Sequence, residues 1–191
     1  MRNLDFFTPL NNILLLSGAY ALYNLYEPKG EPMKKKPLVA YFSATETTRG
    51  LAENLAAAIG ADLFEIVPKQ KYTTDDLDWT NKLSRTTTEM NNRSCRPEIA
   101  KKIPDIAEYE TIFVGFPIWW YREPSIIDTF MESYDFAHKT IVPFATSGGS
   151  PIGDAGKNMQ KLAPDAHVER GARLDTGLSP DALRTWAKKW M

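Results

Sequence analysis

From Leu38 onward the chain alternates short, continuously apolar runs with longer stretches of helical spacing, and this pattern constrains the fold more than any other feature. Leu38–Phe42 is an apolar run of strand length. After a polar loop, Leu51, Ala52, Leu55, Ala56 and Ile59 recur at helical spacing, so the unit reads β-loop-α. Leu63–Val67, Thr111–Phe116 and Thr140–Ala145 supply three more strands, with Pro143 removing a ladder donor from the last. A fifth lies near His167–Arg170 or somewhat later, towards Leu174. Helices are expected over Ser125–Tyr134, Ala155–Leu162 and Pro180–Trp190, the last capped by Ser179 with Pro180 in its first turn. Strands that are apolar on both faces and separated by helices imply an α/β fold, a doubly wound parallel sheet with helices on both faces. The polar segment Tyr72–Ile103 breaks the alternation and reads as an excursion carrying a short helix.

At 191 residues the chain has material for one core, against a prior of roughly 100–200 residues per domain. We expect one domain over residues 33–191, preceded by a separate segment, 1–32. The apolar run Ile13–Tyr26 is too short for a membrane span. Three readings of the leading segment stand side by side. Ala19-Tyr20-Ala21 matches a signal-cleavage pattern, Met33-Lys34-Lys35-Lys36 resembles a start directly before the first strand, and the segment can also dock as an amphipathic helix. Glu27–Pro32 reads as a linker.

Lys and Arg total 23 against 24 Asp and Glu, which makes nucleic acid a poor partner and argues against a strongly acidic electron shuttle. Cys95 is the only cysteine; it excludes an intramolecular disulfide framework and cysteine-cluster metal sites. That usage fits a reducing compartment, so a cytoplasmic location is expected, with export as the alternative.

In a five-stranded order 2-1-3-4-5, the loops leaving strands one, three and four are neighbours at the carboxyl edge of the sheet. The first carries Ser43, Thr45, Glu46, Thr47 and Thr48. Its four hydroxyls stand before a helix N-terminus, where free N–H groups and the helix dipole suit a phosphate. Neither a nucleoside-triphosphate nor a dinucleotide glycine motif is present. In the second loop, Pro117, Ile118, Trp119, Trp120 and Tyr121 place three consecutive aromatics where the sheet ends; such rings can stack on a planar ligand. The third, with Thr146, Ser147, Gly148, Gly149 and Gly153, lets backbone approach a ligand closely.

With these loops the chain resembles the flavodoxin-like family, specifically its short oxidoreductases with a Tyr-Phe-Ser-x-Thr-x-x-Thr phosphate loop, here Tyr41–Thr48. The resemblance covers nearly everything after Lys36 and implies bound FMN. It assigns Ser43, Thr45, Thr47 and Thr48 to the phosphate, Pro117–Tyr121 to the isoalloxazine, and Thr146, Ser147, Gly148, Gly149 and Gly153 to its other edge. Position 46 departs from the pattern, because the family usually carries glycine where this chain has Glu46. A carboxylate beside a phosphate is repulsive unless it points into solvent.

The expected activity is FMN-dependent oxidoreduction, passing electrons to quinone-like or other small acceptors, with NAD(P)H as a possible donor. The alternatives are a flavodoxin-type carrier serving a redox partner protein and a flavin-free interaction module. A homodimer is compatible with each. His138 and His167 are read as structural. Gly148-Gly149-Ser150-Pro151-Ile152 begins like a hydrolase nucleophile elbow but ends in isoleucine where glycine is required. Trp79, Arg85 and Glu89 in the excursion either shape a substrate pocket or lie on a solvated helix face.

Overall fold

The computed structural model describes residues 35–191; the readings of segment 1–32 lie outside them. Strands β1 (Leu38–Tyr41), β2 (Asp62–Glu65), β3 (Thr111–Pro117) and β4 (Thr140–Thr146) form a parallel sheet. Its order is β2-β1-β3-β4, completed beyond β4 by the short strands β5 (His167–Val168) and β6 (Ala172–Arg173). The helices are α1 (Thr47–Ile59), α2 (Arg85–Asn91), α3 (Ser125–Glu132), α4 (Ala155–Leu162) and α5 (Pro180–Ala187).

Alternate strand residues feed two cores, as the pleat requires. Leu38, Ala40, Ile112, Val114, Phe116 and Ile141 face Ile126, Ile127 and Phe130 of α3 and Met159 of α4. Val39, Phe113, Val142 and Phe144 face Leu51, Ala52 and Leu55 of α1 and Leu183 of α5. The fold is therefore the doubly wound sheet that the sequence pattern predicts.

Two local differences have physical causes. The expected last helix ends at Ala187, and Lys188–Trp190 tightens into a 3-10 turn. The fifth strand is split because Pro143 lacks a donor on that side. The carbonyls of Lys139, Ile141 and Ala145 accept from His167, Glu169 and Leu174; alternate residues of β4 thus face this edge, and Pro143 falls among them with no N–H to give. The outer strand breaks opposite it. Gly171 bridges the break at φ 71°, where a Cβ would lie 2.1 Å from the Pro143 carbonyl oxygen.

Among the described residues, no helix is long and apolar enough to cross a membrane.

Candidate functional site

Because β1, β3 and β4 are adjacent and parallel, the loops that leave them meet at one rim. α1 begins there without a side-chain cap, since its N-cap, Glu46, is held left-handed at φ 64°. The first-turn N–H groups have no acceptor within a helix and remain open to a ligand. Thr45 and Thr47 are exposed beside them, and the Thr47 hydroxyl reaches only the Thr45 carbonyl, at 3.5 Å. Ser43 Oγ is buried with no partner. Thr48 turns inward, its hydroxyl 2.8 Å from that of Thr146, and so ties the loop to the end of β4.

The carboxylate of Glu46 lies 2.6 Å from Arg49 Nη1. Arg49 also donates to Glu65 at 2.6 Å and to the Tyr41 hydroxyl at 3.2 Å. The charge of Glu46 on this loop is thereby matched by a cation that Glu65 and Tyr41 also hold. Glycine at position 46 would remove both the charge and the left-handed strain, which amounts to about 1 kcal/mol. Glu46→Gly is expected to raise stability by about that amount in urea unfolding.

The second loop is a two-residue hairpin turn. Trp119 and Arg122 exchange backbone hydrogen bonds at 3.0 Å in both directions, and Trp120 and Tyr121 between them sit at φ 45° and 66°. Left-handed geometry at two aromatic residues costs about 1–2 kcal/mol each; it persists because both flanks are pinned. On one flank Ile118 N–H donates to the Thr146 carbonyl at 2.9 Å, and the Trp119 ring stands edge-on to Phe42 and Tyr72, with centroids 5.5 and 5.4 Å away. On the other, Arg122 is buried, its guanidinium 3.2 Å from Asp128 Oδ2, 3.4 Å from Glu123 Oε1 and 3.1 Å from Ser125 Oγ. Glu123 accepts from Asn158 Nδ2 at 3.2 Å on both oxygens. Gly153, at φ 61°, closes on the same turn, since a Cβ there would stand 3.1 Å from the Tyr121 carbonyl.

Asp128 is the strained member of this cluster. Burial, and secondarily the charge of Glu123, push its carboxyl up to about 6 against the partial relief of Arg122 and Arg96; its Oδ1 is buried without a partner. A raised carboxyl favours the fold most below the unfolded value of 3.8, and that stability fades as pH climbs towards 6. The wild type is expected to lose about 2–3 kcal/mol from this group between pH 4 and 7. Asp128→Asn should flatten that loss in urea unfolding series across the same range.

Above the rim lie two adjoining cavities. One, of about 470 Å³, is lined by Trp120, Tyr121, Leu77, Trp79, Thr86 and Ser150. The other, of about 460 Å³, is lined by Thr47, Thr146, Ser147, Gly148 and the segment Leu174–Gly177. They share Thr45, Pro117, Ile118 and Trp119. Ten of the residues picked from the sequence thus reach these cavities. Ser43 and Glu46 instead line a smaller one of about 150 Å³ with Arg49, and Gly153 borders another beside α4. Thr48 and Gly149 line neither of the two rim cavities. His138 and His167 also lie away from both, His167 pairing with Glu169 at 3.0 Å.

Sequence reasoning missed Leu174–Gly177, which leaves the split outer strand at the same edge. Asp175-Thr176-Gly177 is a turn signal, and only the uncertain position of that strand hid it. Asp175 is paired with Arg173 at 2.9 Å. Of the excursion residues, Trp79 lines the first cavity, whereas Arg85 pairs with Glu89 at 2.7 Å and lies over the Tyr72 ring. Burial, and then Glu89, raise the Tyr72 phenol above its ordinary range.

The rim joins an uncapped helix start with free hydroxyls to a slot lined by aromatic rings. Among the carboxylates that line its cavities, Glu46 and Glu65 are paired with Arg49 and Asp175 with Arg173.

Residues 36–190 match the flavodoxin family model. The structure is similar to that of a candidate flavoprotein from Bacteroides eggerthii, at 48% identity and a TM-score of 0.77 over 81% of this chain and 97% of that one. A candidate flavoprotein from Bacteroides uniformis gives 47%, 0.76, 81% and 99%. A flavoprotein from Lactobacillus acidophilus, solved in complex with FMN, shares the fold at 22% identity and a TM-score of 0.62, over 82% and 98%. No curated protein matches the chain.

Proposed function

Because this chain belongs to the flavodoxin family, its match running over residues 36–190, we propose that it binds FMN at the carboxyl rim and passes electrons through it to quinone-like or other small acceptors. The observation that carries this reading is the junction of the two cavities. An uncapped helix start with the exposed hydroxyls of Thr45 and Thr47 leads directly, along Pro117–Trp119, into a slot walled by aromatic rings. A phosphate and a planar ring on one ligand match that order. The FMN held by the similarly folded Lactobacillus acidophilus flavoprotein supports the choice of ligand.

In this reading the first-turn N–H groups of α1, with Thr45 and Thr47, hold the phosphate, and Ser43 supplies a further hydroxyl by rotating out of its unpartnered position. Pro117–Tyr121 and Thr146–Gly148 position the ring system. The left-handed turn fixes Trp120 and Tyr121 at the slot. FMN, when bound, supplies the redox chemistry, while the protein sets orientation and local polarity. No side chain acts as an obligatory acid or base, because neither histidine lies at the rim. Neither of the two rim cavities is lined by lysine or arginine; an NAD(P)H donor would therefore approach with its own phosphates towards solvent.

The test is a titration of the purified full-length chain with FMN, followed by visible absorption and flavin emission. One FMN per chain is expected, with shifted flavin bands and emission quenched by the neighbouring aromatics. An unperturbed spectrum of free FMN at saturating protein would overturn the reading. Glu46→Gly should change FMN affinity by less than about threefold, because Arg49 already offsets the exposed carboxylate.

A further inference from the structure

We infer that the far end of the first cavity, walled by Leu77, Trp79 and Tyr121, is a subsite for an uncharged planar ring, with Trp79 determining the preference. This rests on the flavin reading above and names the class of molecule that would meet the cofactor.

Two independent observations converge on that end of the site. The first is how the excursion uses its polar groups. Asp76 accepts from Thr73 N–H at 2.8 Å, and its own carbonyl accepts from the Thr86 hydroxyl at 2.7 Å. The Thr87 hydroxyl donates to the Asn81 carbonyl at 2.9 Å, and Arg85 to the Gln70 carbonyl at 2.8 Å. These bonds fix the path of residues 77–83, yet two of its three large apolar side chains face water, Trp79 at 75% and Leu83 at 88% exposure. Folding alone gains nothing from a rigid segment that holds an indole out at a cavity mouth; a ligand that covers the indole does.

The second is the lining itself. None of the eleven residues around this cavity carries a charge at neutral pH. An ionic ligand would surrender hydration there with no counter-charge in return. A neutral ring would be held between the Trp79 and Tyr121 side chains by stacking and burial. Ser150 also lines this cavity, and among the described residues its side chain makes no hydrogen bond, so its hydroxyl is free to donate to a ring carbonyl.

The experiment uses the full-length, FMN-loaded, oxidised protein and isothermal titration calorimetry with two probes of similar shape, 2-(hydroxymethyl)anthraquinone and the anionic anthraquinone-2-sulfonate. The neutral probe should bind at least about tenfold more tightly than the sulfonate. Trp79→Ala should weaken the neutral probe at least about tenfold and Trp79→Phe less than about threefold, while FMN affinity, read by flavin emission, shifts less than about threefold in either. Equal affinity for the two probes, or no effect of Trp79→Ala on the neutral one, would overturn the inference. So would parallel loss of FMN and probe, which would make Trp79 a flavin contact. Failure of the wild-type chain to take up FMN, seen before any probe is added, would instead overturn the cofactor reading and this subsite with it.

Discussion

Arg122→Met is expected to cost about 3–5 kcal/mol of folding free energy, because it leaves two buried carboxylates without their shared cation. Glu123 is 0% and Asp128 5% exposed, and the other arginines nearby stand off at 3.9 Å from Glu123 and 3.8 Å from Asp128. Domains of this kind have a total stability of about 5–15 kcal/mol, so the variant should unfold at much lower urea concentration. The aromatic turn should loosen as well, since Arg122 closes it through the backbone and anchors it through the side chain. Adding Glu123→Gln and Asp128→Asn to the same chain should restore at least half of the loss if uncompensated charge is its cause. A loss below about 1 kcal/mol in the single variant would show that the cluster is not what holds the turn.

The largest effect on ligand binding is expected from the pair Thr45→Val and Thr47→Val. A hydrogen bond to a charged group contributes about 1.5–3 kcal/mol, so removing both hydroxyls should weaken FMN about 10²–10⁴-fold in the fluorescence titration. Stability should move by less than about 0.5 kcal/mol, because both side chains face solvent. Thr48→Val is the contrast. It strands the buried Thr146 hydroxyl and should lower stability by about 1–3 kcal/mol, with a smaller effect on FMN. If Thr48→Val and the Thr45, Thr47 pair exchanged these phenotypes, the phosphate site would have to be moved.

The fold was legible because its signals are redundant. Each inner strand is apolar on both faces, α1 shows its stripe from Leu51 to Ile59, and the order of such a sheet brings three odd loops to one rim. The split of the fifth strand was not, since Pro143 withholds a bond from a neighbour and the break falls opposite it; a missing donor in one strand is invisible in the sequence of the next. The hydroxyl-rich loop after β1 could be located but its side chains not oriented. Four hydroxyls in six residues announce an anion site, yet only the helical phase of α1 decides that Thr48 turns towards Thr146 while Thr45 and Thr47 face out. The Trp120-Tyr121 turn was hidden for the opposite reason. Neither residue favours left-handed geometry, so nothing local predicts a hairpin there, and it exists because Trp119 and Arg122 are anchored elsewhere. Trp79 could be singled out as an odd aromatic, but its place at the cavity mouth depends on the hydrogen bonds that shape the excursion.

A crystal structure of the chain grown with FMN tests the central claim most directly. The account predicts the phosphate on the first-turn N–H groups of α1, within hydrogen-bonding reach of Thr45 and Thr47, and the ring system between Pro117–Tyr121 and Thr146–Gly148. Flavin bound anywhere else, or a rim that stays empty at saturating FMN, would contradict it.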